Sequence, residues 1–202
     1  MKILERYFSI ENYSGIHGDE NSLRTVIATA KSASWKSTVP EQYWDNDPDL
    51  IKDSRLRAVF ADNGDKGLYV YSGSGTQKTR SVLCLLAKEY MAGKTVMFLS
   101  PELFTFSAFD LNDKDGEGRK VLDRAQSCDV LFIDDLFKRR MTEAQEFFLY
   151  CILENRGKKK TLITSNISFS EIPSVFTEKG CGNTFEPIIS RIRGNCRVLK
   201  FS

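Results

Sequence analysis

The loop GSGTQKT, residues 73–79, combines residue types that can bind the phosphate groups of a nucleotide. Gly73 and Gly75 let the backbone turn its N–H groups toward an anion. The ammonium of Lys78 can reach terminal phosphates, and the Thr79 hydroxyl can bind magnesium. The residues predicted to contact the phosphates are Gly73, Ser74, Gly75, Thr76, Gln77, Lys78 and Thr79.

Two residues of this loop depart from the phosphate-binding pattern GxxxxGK[ST], because Ser72 and Gln77 occupy its glycine positions. Ser72 is small and falls at the end of a strand, whereas Gln77 adds a side chain where the backbone passes close to phosphate. The loop is therefore predicted to be a working but detuned nucleotide site. A plain strand–helix turn with a surface lysine is the alternative.

Two adjacent aspartates follow the apolar run VLFI in CDVLFIDDLF, residues 128–137. They are placed at the carboxyl end of a buried strand, where two carboxylates repel each other unless a cation compensates them. Asp134 is suited to bind magnesium, directly or through water. Asp135 is suited to orient and activate an attacking water. Helix capping by these acids is the alternative.

Two further polar groups are candidates for catalysis. Asn166 ends the apolar stretch TLITSN, where its amide can orient a water or simply end the strand. Arg191 and Arg193 in SRIRG are two residues apart, so on a helix they point in different directions. At most one of them is therefore suited to sense phosphate, and the other is left for DNA or solvent.

Regularly alternating elements are predicted to position these residues. From residue 67 onward, short β-branched and aromatic runs alternate with helical spacing: GLYVYS, TVMFLS, DVLFID, TLITSN and CRVLKF are the predicted strands. The apolar spacing after the loop predicts a helix over residues 78–91. This alternation indicates a parallel sheet covered by helices on both faces. Ligands in such sheets bind beyond the carboxyl ends of the strands. Upstream, helices are predicted over residues 20–36 and from Asp47-Pro48 to about residue 62.

The composition is that of an ordinary globular chain of 202 residues, with 28% charged and 41% hydrophobic residues. No apolar run approaches the ~20 residues of a membrane span, and the first residues lack a signal peptide's apolar core. A cytoplasmic location without membrane contact is expected. Five cysteines without a CxxC pair and one histidine argue against disulfides, a zinc site and a histidine-dependent hydrolase.

Candidate DNA contacts are local, because the net charge is only +2. Basic clusters occur at residues 138–140, 158–160 and 191–200, and each is either a nucleic-acid contact or a solvated turn. Phe104, Phe106 and Phe109 can stack on unpaired bases. Core packing is the alternative interpretation of these rings.

The sequence resembles the AAA+ ATPases, especially the DnaC/DnaI helicase loaders and the related IstB-type transposition helpers. The resemblance lies in the order and content of four segments: the loop, DVLFIDDL, TLITSN and SRIRGNCRVLKF. The similarity covers roughly residues 39–202. It implies a P-loop NTPase three-layer sandwich with a five-stranded parallel sheet and a reduced or absent lid. Residues 1–40 would be a short extension that can bind a partner, and residues 41–202 the ATPase domain. Val26, Ile27 and Trp35 are expected to offer that partner an apolar surface.

The resemblance also implies roles for individual residues. Lys78 and Thr79 match Walker A, and Asp134 and Asp135 match Walker B. Asn166 matches sensor 1. Arg191 matches the arginine finger that acts on the ATP of a neighbouring subunit.

The activity implied by the resemblance is slow, assembly-dependent hydrolysis of ATP with Mg²⁺. The implied partners are a replicative DNA helicase, single-stranded DNA and further copies of the chain. An IstB-like transposition helper, or a weakly hydrolysing protein that inhibits a host helicase, are the alternatives. The sequence departs from the family pattern in three ways: the loop is altered, the N-terminal part is small, and the given sequence ends at residue 202, before a second sensor. These departures suggest a compact phage or mobile-element member.

Overall fold

Five parallel strands form the centre of the protein, in the order β2-β3-β4-β1-β5. The computed structural model describes residue 4 and residues 20–44, 46–61, 64–113, 116–176 and 184–201. The strands are β1 (Gly67–Tyr71), β2 (Val96–Leu99), β3 (Val130–Ile133), β4 (Lys160–Ser165) and β5 (Cys196–Lys200). The predicted five-stranded parallel sheet is confirmed.

Seven α-helices lie in the described ranges from residue 20 onward. They are α1 (Glu20–Thr38), α2 (Asp53–Phe60), α3 (Lys78–Met91), α4 (Pro101–Phe109), α5 (Glu117–Ser127), α6 (Glu143–Arg156) and α7 (Phe185–Asn195). Their ends follow local sequence signals. The Thr142 hydroxyl and the Gln145 side chain form a capping box at the start of α6. Gly93, which follows α3, has a positive φ of 90°.

Helices cover both faces of the sheet. Successive strand residues point to opposite faces, so the apolar strands present buried side chains to the helices on each side. One hydrophobic cluster contains Leu68 and Val70 of β1 together with buried residues of α1, α2 and α3. The other contains Tyr69 of β1 together with buried residues of α4, α5, α6 and α7. The predicted three-layer α/β sandwich is therefore present.

Helix α1 belongs to the hydrophobic core, which bears on the predicted N-terminal extension. The Trp35 side chain is 0% exposed and stacks at 5.6 Å, centroid to centroid, on Tyr90 of α3. The expectation that Trp35 forms part of an apolar partner surface is wrong, because the ring fills space beside the sheet. Val26 is 64% exposed and is available to a partner.

The single helix predicted to start at Asp47-Pro48 is divided into two pieces. A 3₁₀ turn spans Pro48–Leu50, with the Asp47 carboxylate accepting a hydrogen bond from Asp49 N at 3.0 Å. Ile51 then adopts an extended conformation before α2 begins. The break buries Ile51 in the core and leaves Leu50 77% exposed.

Candidate nucleotide-binding site

The strand order brings three distant parts of the chain to one edge of the sheet. β1 pairs with β4, and β4 pairs with β3, all in parallel register. Their carboxyl ends therefore lie side by side, and they carry the phosphate-binding loop, Asn166 and the aspartate pair. This topology gathers most of the predicted site residues.

Lys78 connects the loop to the end of β4. Its Nζ donates hydrogen bonds to Ser72 O at 3.0 Å, Gly73 O at 2.9 Å and Asn166 Oδ1 at 2.9 Å. Burial lowers the pKa of the Lys78 ammonium, although both aspartates favour its charged form. A buried cation held at a helix start and a glycine-rich loop is suited to bind an anion.

Asp134 connects helix α3 to strand β4. Its Oδ1 accepts hydrogen bonds from Thr79 Oγ1 at 2.7 Å and from Thr164 Oγ1 at 2.6 Å. Burial raises the pKa of the Asp134 carboxyl, and the two hydroxyl donors oppose that rise. A nearby divalent cation would hold this carboxylate in its charged form.

The donor set fits Mg²⁺. The Thr79 hydroxyl keeps its lone pairs when it donates a hydrogen bond to Asp134, so it can also coordinate a cation. The described residues contain no group of three or more His, Cys, Asp or Glu side chains that could hold a metal. The oxygens of Thr79 and Asp134 suit Mg²⁺, which is held by one or two protein oxygens together with substrate phosphates and water.

Asp135 lies on a backbone of unusual conformation. Its φ is 50°, and its N–H donates to Thr164 Oγ1 at 2.9 Å. Its Oδ2 accepts a hydrogen bond from Lys138 Nζ at 2.8 Å. Thr164 thus links the two aspartates, since its hydroxyl accepts from one and donates to the other.

Two residues of the site were not identified from the sequence. Thr164 precedes the predicted end of β4 by two residues, and only the pairing of β3 with β4 brings it against the aspartates. Tyr43 lies near Thr79. Burial raises the pKa of its phenol, with a smaller contribution from the Asp134 carboxylate. No local pattern marks Tyr43, because it comes from a short 3₁₀ turn outside the alternating region.

The two departures from the loop pattern have separate structural consequences. Ser72 Oγ lies 2.5 Å from Thr76 Oγ1, so the serine hydroxyl braces the loop across its base. Gln77 adopts the left-handed conformation expected of a glycine, with φ 65° and ψ 22°. Its side chain donates from Nε2 to Leu50 O at 3.2 Å. The glycine-like backbone is therefore retained with glutamine in place.

Replacing Gln77 with glycine is expected to tighten ATP binding about fivefold, if the side chain weakens one phosphate hydrogen bond by ~1 kcal/mol. Gln77→Ala is the matched control, because it also removes the bond to Leu50 but keeps the unfavourable φ. The glycine variant should exceed the alanine variant in unfolding free energy by ~1 kcal/mol. Calorimetric titration and urea unfolding provide the two measurements. Weaker ATP binding by Gln77→Gly would mean that the contact with Leu50 supports the site.

Arg191 lies apart from this cluster. Its guanidinium pairs with the Glu154 carboxylate of α6 and donates from Nη1 to Pro187 O at 3.2 Å. Arg193 lies over the Phe169 ring at 5.5 Å from its centroid. As predicted from their spacing, the two arginines face different neighbours. No contact joins either of them to Lys78 or the aspartates within the described ranges.

The three phenylalanines of α4 divide between the core and the surface. Phe104 is buried against Phe148 of α6, with ring centroids 5.5 Å apart. Phe106 and Phe109 are 58% and 60% exposed. Both exposed rings line a groove of ≈ 1490 Å³ that reaches the aspartate pair.

The strand order, the loop that opens α3 and the acidic residues after β3 define a P-loop nucleotide-binding core with the AAA+ fold. Comparison with protein families then places the chain more narrowly. It belongs to the family described as IstB-like ATP binding protein, whose model matches residues 26–202. That match begins inside α1, and the predicted domain boundary at residue 40 stays a prediction.

Solved structures support the same fold. The crystal structure of DnaI aligns with a TM-score of 0.64 and 22% identity, covering 81% of this chain and 95% of that one. The DnaC helicase loader gives 0.62 and 22%, covering 81% and 100%. The replication initiator DnaA bound to AMPPCP and single-stranded DNA gives 0.57 and 15%, covering 74% and 44%. A comparison with curated proteins produced no match. Within the ranges described, no helix is long and apolar enough to cross a membrane.

Proposed function

We propose that this protein is an ATPase that loads a replicative DNA helicase onto single-stranded DNA. The observation that carries the proposal is the joined cluster at the sheet edge, where Lys78 contacts Asn166 and Thr79 contacts Asp134. Membership of an ATP-binding family supports ATP as the nucleotide that this site binds. The likeness to the DnaC helicase loader supports the biological role.

ATP would lie along the loop of residues 73–79, with its phosphates facing the start of α3. Gly73 and Gly75 have no atom within 4 Å of the position of a Cβ, so the loop leaves open space beside both glycines. Lys78 would contact the terminal phosphates. Thr79 and Asp134 would hold Mg²⁺, which neutralises phosphate charge as the terminal bond breaks.

Hydrolysis would use Asp135 and Asn166. The oxygen of a water forms a bond to the γ-phosphorus as the bond from that phosphorus to the bridging oxygen of ADP breaks. Asp135 accepts the proton of the water as the general base. The Asn166 amide accepts from Lys78 through Oδ1, so its N–H groups remain to orient the water.

Arg191 would complete the site of a neighbouring subunit. In a single chain it is paired with Glu154 and makes no contact with its own loop. A side chain exposed at 30% can exchange this carboxylate for a phosphate when two copies assemble. Self-association through the ATP interface is therefore part of the proposal.

A transposition-helper role is the second candidate, favoured by the family match itself. Such a protein would bind a transposase and duplex DNA. A helicase inhibitor that hydrolyses ATP weakly is a third candidate. The helper would be captured by transposase, and the inhibitor would capture helicase without delivering it to DNA.

Capture of the replicative helicase by purified protein, with and without ATP, tests the proposal. Loading predicts ATP-dependent capture followed by helicase transfer to a single-stranded oligonucleotide. The partner surface is best tested with Val26→Asp, because deletion of residues 1–40 would remove Trp35 and Val39 from the core. Loss of capture with unchanged ATP binding would assign the contact to α1. Capture of transposase alone would overturn the loader role.

A further inference from the structure

We infer that Arg55 is a positioning residue for the phosphate loop. Its hydrogen bond to the carbonyl of Thr76 directs the N–H of Gln77 toward the phosphates of the nucleotide. This role rests on the proposed function, because it takes the loop as the binding site of ATP. It assigns a task to a side chain of α2, outside the loop, and gives a reason why the loop can do without glycine at position 77.

Arg55 reaches the loop from the side of α2. Its Nη1 donates a hydrogen bond to Thr76 O at 2.6 Å. The half-buried guanidinium lies over the Phe201 ring, 5.9 Å from its centroid. That ring is buried, and Phe201 N donates to Tyr71 O at the end of β1 at 3.0 Å. A charged donor that is stacked in this way holds the Thr76 carbonyl in one direction.

The peptide group between Thr76 and Gln77 carries both the carbonyl that Arg55 holds and an N–H. A trans peptide group is planar, so its C=O and N–H point in opposite directions. Arg55 on one side therefore directs the Gln77 N–H to the other side. Among the residues that the structure describes, this N–H donates to no acceptor. A backbone donor left in this way is suited to a phosphate oxygen.

The groups on either side of this peptide are anchored. Thr76 Oγ1 donates to Gly73 O at 3.1 Å and lies 2.5 Å from Ser72 Oγ. Gln77 O accepts hydrogen bonds from both N and Oγ of Ser81, each at 2.9 Å. Rotation of the single peptide group between these anchors is therefore the motion that Arg55 prevents.

Glutamine at position 77 makes this restraint necessary. Gln77 has a φ of 65°, a conformation in which Cβ crowds the following carbonyl oxygen. Half a turn of the Thr76–Gln77 peptide group would bring this φ to a negative value and relieve the crowding. The same rotation would turn the N–H away from the phosphates. A glycine has no Cβ and gains nothing from the rotation, so it would hold the N–H in place without Arg55.

Calorimetric titration with ATP and Mg²⁺ tests the role of Arg55. Arg55→Ala is expected to bind ATP about tenfold more weakly than wild type, which corresponds to ~1.4 kcal/mol. Arg57→Ala is the matched control, because it removes an arginine from the same helix. Arg57 pairs with Asp53 at the surface, where both side chains are 75% exposed. Its variant should bind ATP as wild type does.

The same change in two further backgrounds separates positioning from a general loss of stability. In Gln77→Gly protein, Arg55→Ala should change ATP affinity little, because glycine accepts the positive φ. In Gln77→Ala protein, the loss should again be about tenfold, because alanine keeps the Cβ. A purely structural contribution of Arg55 would weaken binding equally in all three backgrounds. Urea unfolding identifies the variants that are folded.

Nuclear magnetic resonance gives a reading without nucleotide. The amide and α protons of one residue are closer together at positive φ than at negative φ, so their nuclear Overhauser effect reports the sign of φ. This effect should be strong for Gln77 in wild type and in Arg57→Ala. It should weaken in Arg55→Ala, as the peptide group rotates.

Three results would overturn the role of Arg55 and leave the proposed function standing. They are ATP binding by folded Arg55→Ala that equals wild type, an equal loss in all three backgrounds, and an unchanged Overhauser effect at Gln77. Absence of ATP binding by wild type is a different result. It would overturn the proposed function and, with it, this role.

Discussion

Asp135→Asn is expected to lower the rate of ATP hydrolysis by ~10²–10⁴-fold, the usual contribution of a general base. Asparagine has nearly the same shape, but its amide does not accept a proton from water. The Asp135 N–H bond to Thr164 Oγ1 belongs to the backbone and should persist in the variant. ATP affinity should therefore stay near that of wild type. Phosphate release and calorimetric titration measure the two quantities.

Mixed assemblies extend this test to Arg191. Arg191→Ala lacks the group proposed to act on the neighbouring site, whereas Asp135→Asn lacks the base of its own site. In a mixed assembly, the Asp135→Asn subunit still supplies Arg191 and the Arg191→Ala subunit still supplies Asp135. An interface between these two subunits can therefore contain both functional groups. Mixing the two inactive proteins should restore part of the activity. If the two variants are shown to assemble together but no hydrolysis is recovered at any ratio, Arg191 does not act between subunits. Hydrolysis at the wild-type rate by Asp135→Asn would contradict the role of Asp135 as the base.

Lys78→Ala is expected to weaken ATP binding by roughly 10- to 150-fold, which corresponds to ~1.5–3 kcal/mol for hydrogen bonds to a charged group. The ammonium is the buried cation of the loop, and its removal leaves the anion with backbone donors only. Calorimetric titration in the presence of Mg²⁺ gives the affinity.

Lys88→Ala is the matched control for Lys78, because it removes a half-buried lysine from the same helix, near the Phe60 ring. Its ATP affinity should equal that of wild type. Thermal unfolding must be measured for both variants, because Lys78 also donates hydrogen bonds to the Ser72 and Gly73 carbonyls and its loss can lower stability. A folded Lys78→Ala protein with unchanged ATP affinity would remove the assignment of the loop.

The sequence by itself determined the type of fold and the position of the glycine-rich loop between β1 and α3. Helix α3 was predicted to span residues 78–91 and does so. Apolar period, capping residues and strand-ending polar groups act over a few neighbouring residues, so a linear pattern is enough to reveal them. The positions of Asp134 and Asn166 just beyond their strands follow for the same reason.

Only the tertiary structure decided how these pieces meet. Strand order places Thr164 between the aspartates, and helix packing buries Trp35 where an exposed surface was expected. The pairing of Asp135 with Lys138 depends on a left-handed turn that burial of Phe137 helps to hold. These contacts result from competition among alternative packings across the whole chain. Local propensity is too weak to select among them, because tertiary burial contributes more free energy than the preferences of single residues.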